Sequence, residues 1–228
     1  VYENVYLRAG DARIHAWYVP AENAQLSVLF CHGNAGNISH RMETLSLLYS
    51  LGVNVLIFDY AGFGLSNGKA SEVQTYRDVE AAWRFLIEDK VTDPAAIVLF
   101  GRSLGGAVAT WIAAKEKPGA LILESTFISI IAMGKKLYPI FPVRLLARVR
   151  YDPSELIEKI KSPKLFIHSR DDETIPFEHG VTLYNKAKEP KTFVEIRGSH
   201  NSGFLDSGRD YTAPLQSFFR KVEQSLAP

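Results

Sequence analysis

The stretch Phe100-Gly-Arg-Ser-Leu-Gly-Gly106 follows an apolar run over 96–100 and opens into Ala107-Val-Ala-Thr-Trp-Ile112. A serine among glycines, where a strand should end and a helix begin, has two readings. One is a flexible connection; the other is a sharp turn that presents a hydroxyl nucleophile. A serine hydroxyl is a weak nucleophile and must be held exposed beside a base, with donors ready for the negative charge that develops on its target. A tight strand-to-helix turn achieves this but crowds the backbone, so residues two positions away must be very small. Gly101, Gly105 and Gly106 meet that demand. The helix that follows aims its first N–H groups, that of Leu104 foremost, at the developing charge. Ser103 is therefore the candidate nucleophile.

Working outward, apolar or alternating runs recur at 4–8, 13–19, 26–31, 53–58, 96–100, 120–123, 164–168 and 192–196. The second alternates, as a half-exposed strand should, and most later ones are continuously apolar, as strands covered on both faces must be. Helical patterns lie between them. Ser71-Glu-Val-Gln74 has the form of a capping box, and Val73, Tyr76, Val79, Trp83 and Leu86 follow it at helical spacing. Tyr211, Leu215, Phe218, Val222 and Leu226 repeat the pattern near the end. Strands alternating with helices predict an α/β fold: a mainly parallel eight-stranded sheet with helices on both faces. No repeat or linker interrupts residues 1–228, so the expectation is a single domain.

Ligands of such sheets bind at the carboxyl ends of the strands, so reactive side chains just beyond strand ends are the ones to collect. His32-Gly-Asn-Ala-Gly36 follows the third run, and its glycine turn can offer a backbone N–H to an oxyanion hole shared with Leu104. Asn34 is the candidate donor, with Ala35 as the alternative. His168-Ser-Arg-Asp-Asp-Glu-Thr-Ile-Pro176 and Gly198-Ser-His200-Asn follow the last two runs. Serine, then carboxylate, then histidine is the chain order in which this architecture carries a catalytic triad. His200 is the candidate base. His32 reads as a brace for its turn, since the base comes last, and His15, His40 and His179 read as surface or packing residues.

Composition excludes several alternatives. A formal net charge of +1, with both signs scattered, leaves no electrostatic footprint for nucleic acid. The single cysteine, Cys31, has no disulfide partner in the chain and sits inside an apolar run, as a buried strand residue would. No histidine–cysteine set has zinc spacing and no glycine-rich phosphate loop occurs, so neither metal nor organic cofactor is expected. No apolar run reaches membrane-spanning length. The chain begins at Val1, and a segment upstream of it would decide between a cytoplasmic and a membrane-anchored domain.

With these residues assembled, the chain resembles an α/β-hydrolase from about Leu26 to the final helix. More narrowly, "FCHGNAGNISHR" (30–41), "FDYAGFGLSNGKASE" (58–72), "LFGRSLGGAVA" (99–109) and "GSHNS" (198–202) are similar to the bud-emergence-type α/β-hydrolase-domain proteins, relatives of protein depalmitoylases. The resemblance implies Ser103 as nucleophile and His200 as base. It places the acid four residues before a proline, which selects Asp172 over Asp171. Two positions depart from the family's habit: Ser169 stands where a glycine is usual, and Ala61 where an arginine is common.

Between Glu124 and Pro163 lies the place where such enzymes carry caps, here a short segment of about 125–162. Its apolar residues, with Phe127, Leu137 and Phe141 as candidate substrate contacts, either pack as helices on the body or line an acyl groove beside basic residues, a face suited to lipid-like substrate at a membrane surface. The expected activity is that of a serine acyl hydrolase on esters or thioesters. The same fold and triad also serve peptidases and amidases, and a catalytically silent binding module could share the fold. Oligomeric state leaves no mark on the sequence.

Overall fold

A computed structural model describes residues 2–137 and 149–226. Its eight strands fall where the apolar runs predict them. They are β1 (Glu3–Ala9), β2 (Ala12–Val19), β3 (Ser27–Cys31), β4 (Asn54–Phe58), β5 (Ile97–Arg102), β6 (Ala120–Glu124), β7 (Lys164–Ser169) and β8 (Lys191–Ile196). They form one sheet in the order β1-β2-β4-β3-β5-β6-β7-β8. β2 runs antiparallel to both neighbours and the remaining pairs are parallel. The order reverses around β3, so that β3 lies between β4 and β5 and the ends of β3 and β5 face the same crevice, with Cys31 opposite Gly101.

Side-chain alternation along the buried strands splits the interior into two cores. Val28 and Phe30 of β3, with Val98 and Phe100 of β5, pack beneath α1 (Met42–Ser50) and the C-terminal helix. Leu29, Cys31, Ile97 and Leu99 pack on the other face, under α2 (Glu72–Arg84) and α3 (Leu104–Glu116). The remaining longer helices are α4 (Ile130–Leu137), α5 (Phe177–Lys186) and α6 (Arg209–Leu226). Tyr211, Leu215, Phe218 and Val222 of α6 are all buried, as their spacing predicts.

The start of α2 differs from its sequence pattern in two ways. Ser71 caps the helix by accepting from the Gln74 N–H, but the Gln74 side chain turns inward and donates to the Ala9 carbonyl and to Asp78 instead of closing the box. Val73 points outward and is 60% exposed, because the buried stripe begins two residues later with Thr75 and continues with Asp78 and Val79. Asp78 is fully buried and accepts from the Ala61 N–H at 2.8 Å and from Gln74. With alanine at position 61, no cation pairs with it among the described residues. Burial therefore prevails over these two hydrogen bonds and raises the carboxyl to about 6.

A prediction follows with its sign. Between the unfolded carboxyl value near 4 and about 6, the folded protein holds a proton that the unfolded chain has lost. Asp78 therefore lowers stability as pH rises through that window, by an amount of order 1–3 kcal/mol. Urea denaturation of Asp78→Asn should lack this decline, so the variant gains on the wild type between pH 4 and 6 and keeps the gain above. Parallel stability curves would refute the assignment.

Candidate active site

The strand β5 ends at Arg102 and α3 begins at Leu104, leaving Ser103 alone in the turn with φ 55° and ψ −120°. This is a backbone conformation that non-glycine residues adopt only when the surroundings enforce it. The enforcement is visible in what side chains at the flanking glycines would strike. A Cβ on Gly101 would collide with the backbone of Gly105 and Gly106, one on Gly105 with the Cys31 carbonyl, and one on Gly106 with the Thr126 side chain. Beneath the turn, the Ser103 N–H donates to the Glu124 carbonyl at 2.9 Å. As the first helical residue, Leu104 has an N–H with no acceptor inside α3.

Beside the serine stands the turn after β3. Its Gly33 lies so near that a Cβ there would touch Ser103. His32, fully buried, is held at Nδ1 by the Gly33 carbonyl at 2.7 Å and presents Nε2 to Asp59 Oδ1 at 3.5 Å, away from the serine. Tyr60 donates from its hydroxyl to the His32 carbonyl, and Asp59 accepts from the Ile38 N–H at 2.9 Å. The residues after β4 thus clamp both ends of the turn. Asn34 is exposed at its tip, bordering the same space as Ser103 and Leu104.

The two late loops bring the remaining candidates together. His200 Nδ1 donates to Asp172 Oδ2 at 2.8 Å, which leaves Nε2 as the acceptor, 3.2 Å from Ser103 Oγ. Asp172 Oδ1 accepts from the Thr174 and Ile175 N–H groups at 2.9 and 2.7 Å. Burial alone would raise this carboxyl; the nearby His168 ring and the hydrogen bonds from His200 and the Ile175 N–H outweigh it and hold Asp172 far below the usual carboxylate range. The neighbouring Asp171 does something else: it accepts from the Gly198 N–H at 3.2 Å and faces Arg197, with its side chain half exposed. Ser169 also has a use that a glycine could not serve. Its hydroxyl donates to the Gly198 carbonyl and accepts from the Asp171 N–H, joining the acid loop to the histidine loop.

Several contributors escape sequence reading. His168, at the end of β7, donates from Nε2 to the Ile175 carbonyl at 2.9 Å and stands 3.5 Å from Asp172 Oδ2, behind the carboxylate. Arg102 and Glu124 are direct register partners on β5 and β6 and form a buried ion pair at 2.8 Å, which Tyr211 of α6 joins by donating to Glu124 at 2.7 Å. A carboxylate ending the run Ala120-Leu-Ile-Leu-Glu124 beside an arginine ending the next strand is the signal that could have revealed this pair. His40, read as a surface or packing residue, is exposed and borders the cleft next to the serine.

Ser103 lies where two clefts meet. One, of about 420 Å³, is largely apolar and lined by Phe63, Leu104, Phe127, Ile130, Met133, Val149, Tyr151 and Ile175 among others. Phe127, named above as a candidate substrate contact, is part of this lining. Leu137 closes α4 but its side chain is outside the described set, and Phe141 lies outside the described residues altogether. The other cleft, of about 470 Å³, is the more polar of the two and includes Arg41, Arg102, Thr174, Asn201 and His200. Among the described residues no group of three His, Cys, Asp or Glu side chains has the geometry to hold a metal, and no helix is long and apolar enough to cross a membrane.

Known proteins resemble this chain in both sequence and shape. A sequence-family profile described as "Serine aminopeptidase, S33" matches residues 22–154. Protein Rv2307c of Mycobacterium tuberculosis is 38% identical over 213 residues, spanning 92% of this chain and 76% of that protein. The alpha/beta hydrolase domain-containing protein WAV2 of Arabidopsis thaliana is 34% identical over 244 residues, spanning 97% of this chain and 79% of its own. The Pyrococcus furiosus esterase Pf2001 superposes with a TM-score of 0.80 at 20% identity, covering 97% of this chain and 92% of the esterase. An eight-stranded sheet with this strand order, a glycine-walled serine turn at its crevice and relatives of this extent make the chain a member of the α/β-hydrolase family, and a hydrolase of the serine type.

Proposed function

We propose that the protein is an acyl hydrolase that cleaves esters or thioesters through an acyl-enzyme on Ser103. The reading rests on one observation above all: the hydroxyl of Ser103 is 3.2 Å from an imidazole nitrogen whose opposite nitrogen is bound to a buried carboxylate. His200 takes the Ser103 proton at Nε2 as Oγ attacks the acyl carbon. Asp172 keeps the tautomer that makes this possible and stabilises the imidazolium. The N–H groups of Leu104 and Asn34 receive the oxyanion. Collapse expels the leaving group, protonated by His200, and a water activated by the same base then releases the acid.

The two clefts can be assigned roles on chemical grounds. The proton returned to the leaving group comes from His200, so the leaving group belongs on the side His200 lines, which is the polar cleft. The acyl chain then occupies the apolar one. An aminopeptidase would need to hold a free ammonium on that acyl side. Glu72 is the carboxylate in the lining, and its two oxygens already accept from the Tyr76 hydroxyl and the Arg150 N–H. This favours an acyl over an aminoacyl substrate, in keeping with the motif resemblance to depalmitoylase relatives.

Three outcomes test the reading. Ser103→Ala should fold normally, lose labelling by a fluorophosphonate, and hydrolyse p-nitrophenyl esters at least about a thousandfold more slowly. Near-normal turnover by the folded variant would remove Ser103 from the mechanism. Asp172→Asn should cost on the order of a thousandfold to ten-thousandfold in kcat, whereas Asp171→Asn stays within about tenfold; comparable losses would mean that Asp172 has no special role. In a chain-length series, butyrate to octanoate esters should surpass acetate, with up to about fourfold in kcat/KM per buried methylene at roughly 0.8 kcal/mol each. A steady decline from acetate upward would show that the apolar cleft does not take the acyl group.

A further inference from the structure

The polar cleft contains a cation that the catalytic scheme leaves unused. Arg41 caps α1 through its backbone, and its side chain, half buried, turns into the space beside the 33–36 turn. One guanidinium nitrogen, Nη2, donates to the Ala35 carbonyl. Nε is buried without a hydrogen-bond partner among the described residues. Among the described residues no carboxylate comes within 4 Å of the group. Arg102, in the same lining, already has its anion in Glu124 on one side and donates to Thr44 on the other. It acts on Arg41 as a like charge: burial first, and Arg102 second, push the Arg41 guanidinium below its ordinary value, and the opposing pull of Tyr60 and of the Asp59 carboxylate, beyond ion-pair distance, does not outweigh them. An unpaired cation held half out of water beside a second cation is a costly arrangement unless an anion arrives to complete it.

We propose that the polar cleft is a leaving-group subsite in which the Arg41 guanidinium selects leaving groups that carry a single carboxylate. The proposal rests on the acyl-hydrolase reading and on the leaving group lying on the His200 side. Arg41 is well placed for it: the carbonyl it holds belongs to the turn that flanks Ser103, so an anion bound to it is tethered near the scissile bond. A planar guanidinium suits a carboxylate by paired N–H donors. Glu43, exposed in the same lining, sets the limit on charge. It repels a second negative charge, so one carboxylate is accepted and a phosphate dianion is not. The Phe204 and Leu205 side chains provide an apolar wall for the body of the leaving group.

The experiment compares hexanoyl esters of three phenols with closely similar leaving-group strength: 3-hydroxyphenylacetate, its neutral N-methylamide, and 3-hydroxybenzylphosphonate. The wild type should favour the carboxylate ester over the neutral one by about tenfold in kcat/KM, as befits a charge-assisted hydrogen bond in a partly shielded cleft. The preference should weaken as salt is raised. Arg41→Gln should bring the ratio of the two close to one, and Arg41→Lys should restore part of it; a ratio cancels any general effect on the 33–36 turn. Should Arg41→Gln not fold, the Lys variant and the salt series carry the test. Equal rates for charged and neutral esters, or a preference that survives Arg41→Gln, would overturn the subsite while leaving the acyl-hydrolase reading standing. A phosphonate ester faster than the carboxylate would overturn the choice of a single carboxylate. Failure of all three esters, together with absent fluorophosphonate labelling, would count against the acyl-hydrolase reading itself and take the subsite with it.

Discussion

Everything at the centre of this molecule depends on a close approach of backbones. The turn that carries Ser103 can exist only because Gly101, Gly105 and Gly106 let β5, α3 and the end of β3 come nearer than any side chain permits. That approach does two things at once. It forces the serine into a left-handed conformation that lifts its hydroxyl clear of the sheet, and it delivers the start of α3 to the place where negative charge would appear. A larger residue at Gly105 would displace the Cys31 carbonyl and, with it, the whole turn from His32 onward. The strain is local, but what holds it is spread across three strands.

Around that contact the protein distributes charge with unequal care. Arg102 and Glu124 neutralise each other directly below the serine, with Tyr211 completing the carboxylate's hydrogen bonds. Asp172 is surrounded by donors and stays ionised. Asp78, with no cation paired to it among the described residues, is a buried carboxyl that yields to desolvation. Arg41 is the opposite exception, a cation with a carbonyl for company and no carboxylate paired to it among the described residues. Satisfied groups such as the first two hold shape. Unsatisfied ones are where a change of pH or an arriving ligand finds something to do.

How much of this was readable from residues alone varied with the range of the interaction. The eight strands were legible because apolar runs bounded by turns are a local signal, and the serine turn because its glycines are adjacent in the chain. The loop positions of Asp172 and His200 were legible as strand ends, although choosing Asp172 over Asp171 leaned on family spacing rather than on anything local. The physical difference between the two lies in contacts made across the fold: one carboxylate meets His200, the other the Gly198 N–H. Val73 misled because amphipathic spacing cannot tell where along a helix the core begins. Arg102 with Glu124, and Arg41 in its cleft, stayed hidden because the partners of each are set by sheet register and loop packing. Ser169, a departure from the family's glycine, became intelligible only when its hydroxyl was seen bridging two loops.

The bond from Tyr211 to Glu124 has a consequence for the order in which the protein comes into being. The serine turn is encoded before the midpoint of the chain, yet the groups that surround it arrive late: Asp172, then His200, then the first turn of α6, which closes the hydrogen bonds beneath it. β1 to β6 and the serine turn therefore precede in the chain every side chain that reaches Ser103 from the late loops. The groups that meet at this turn are thus brought together by contacts of long sequence separation, which form only once α6 has docked on the sheet.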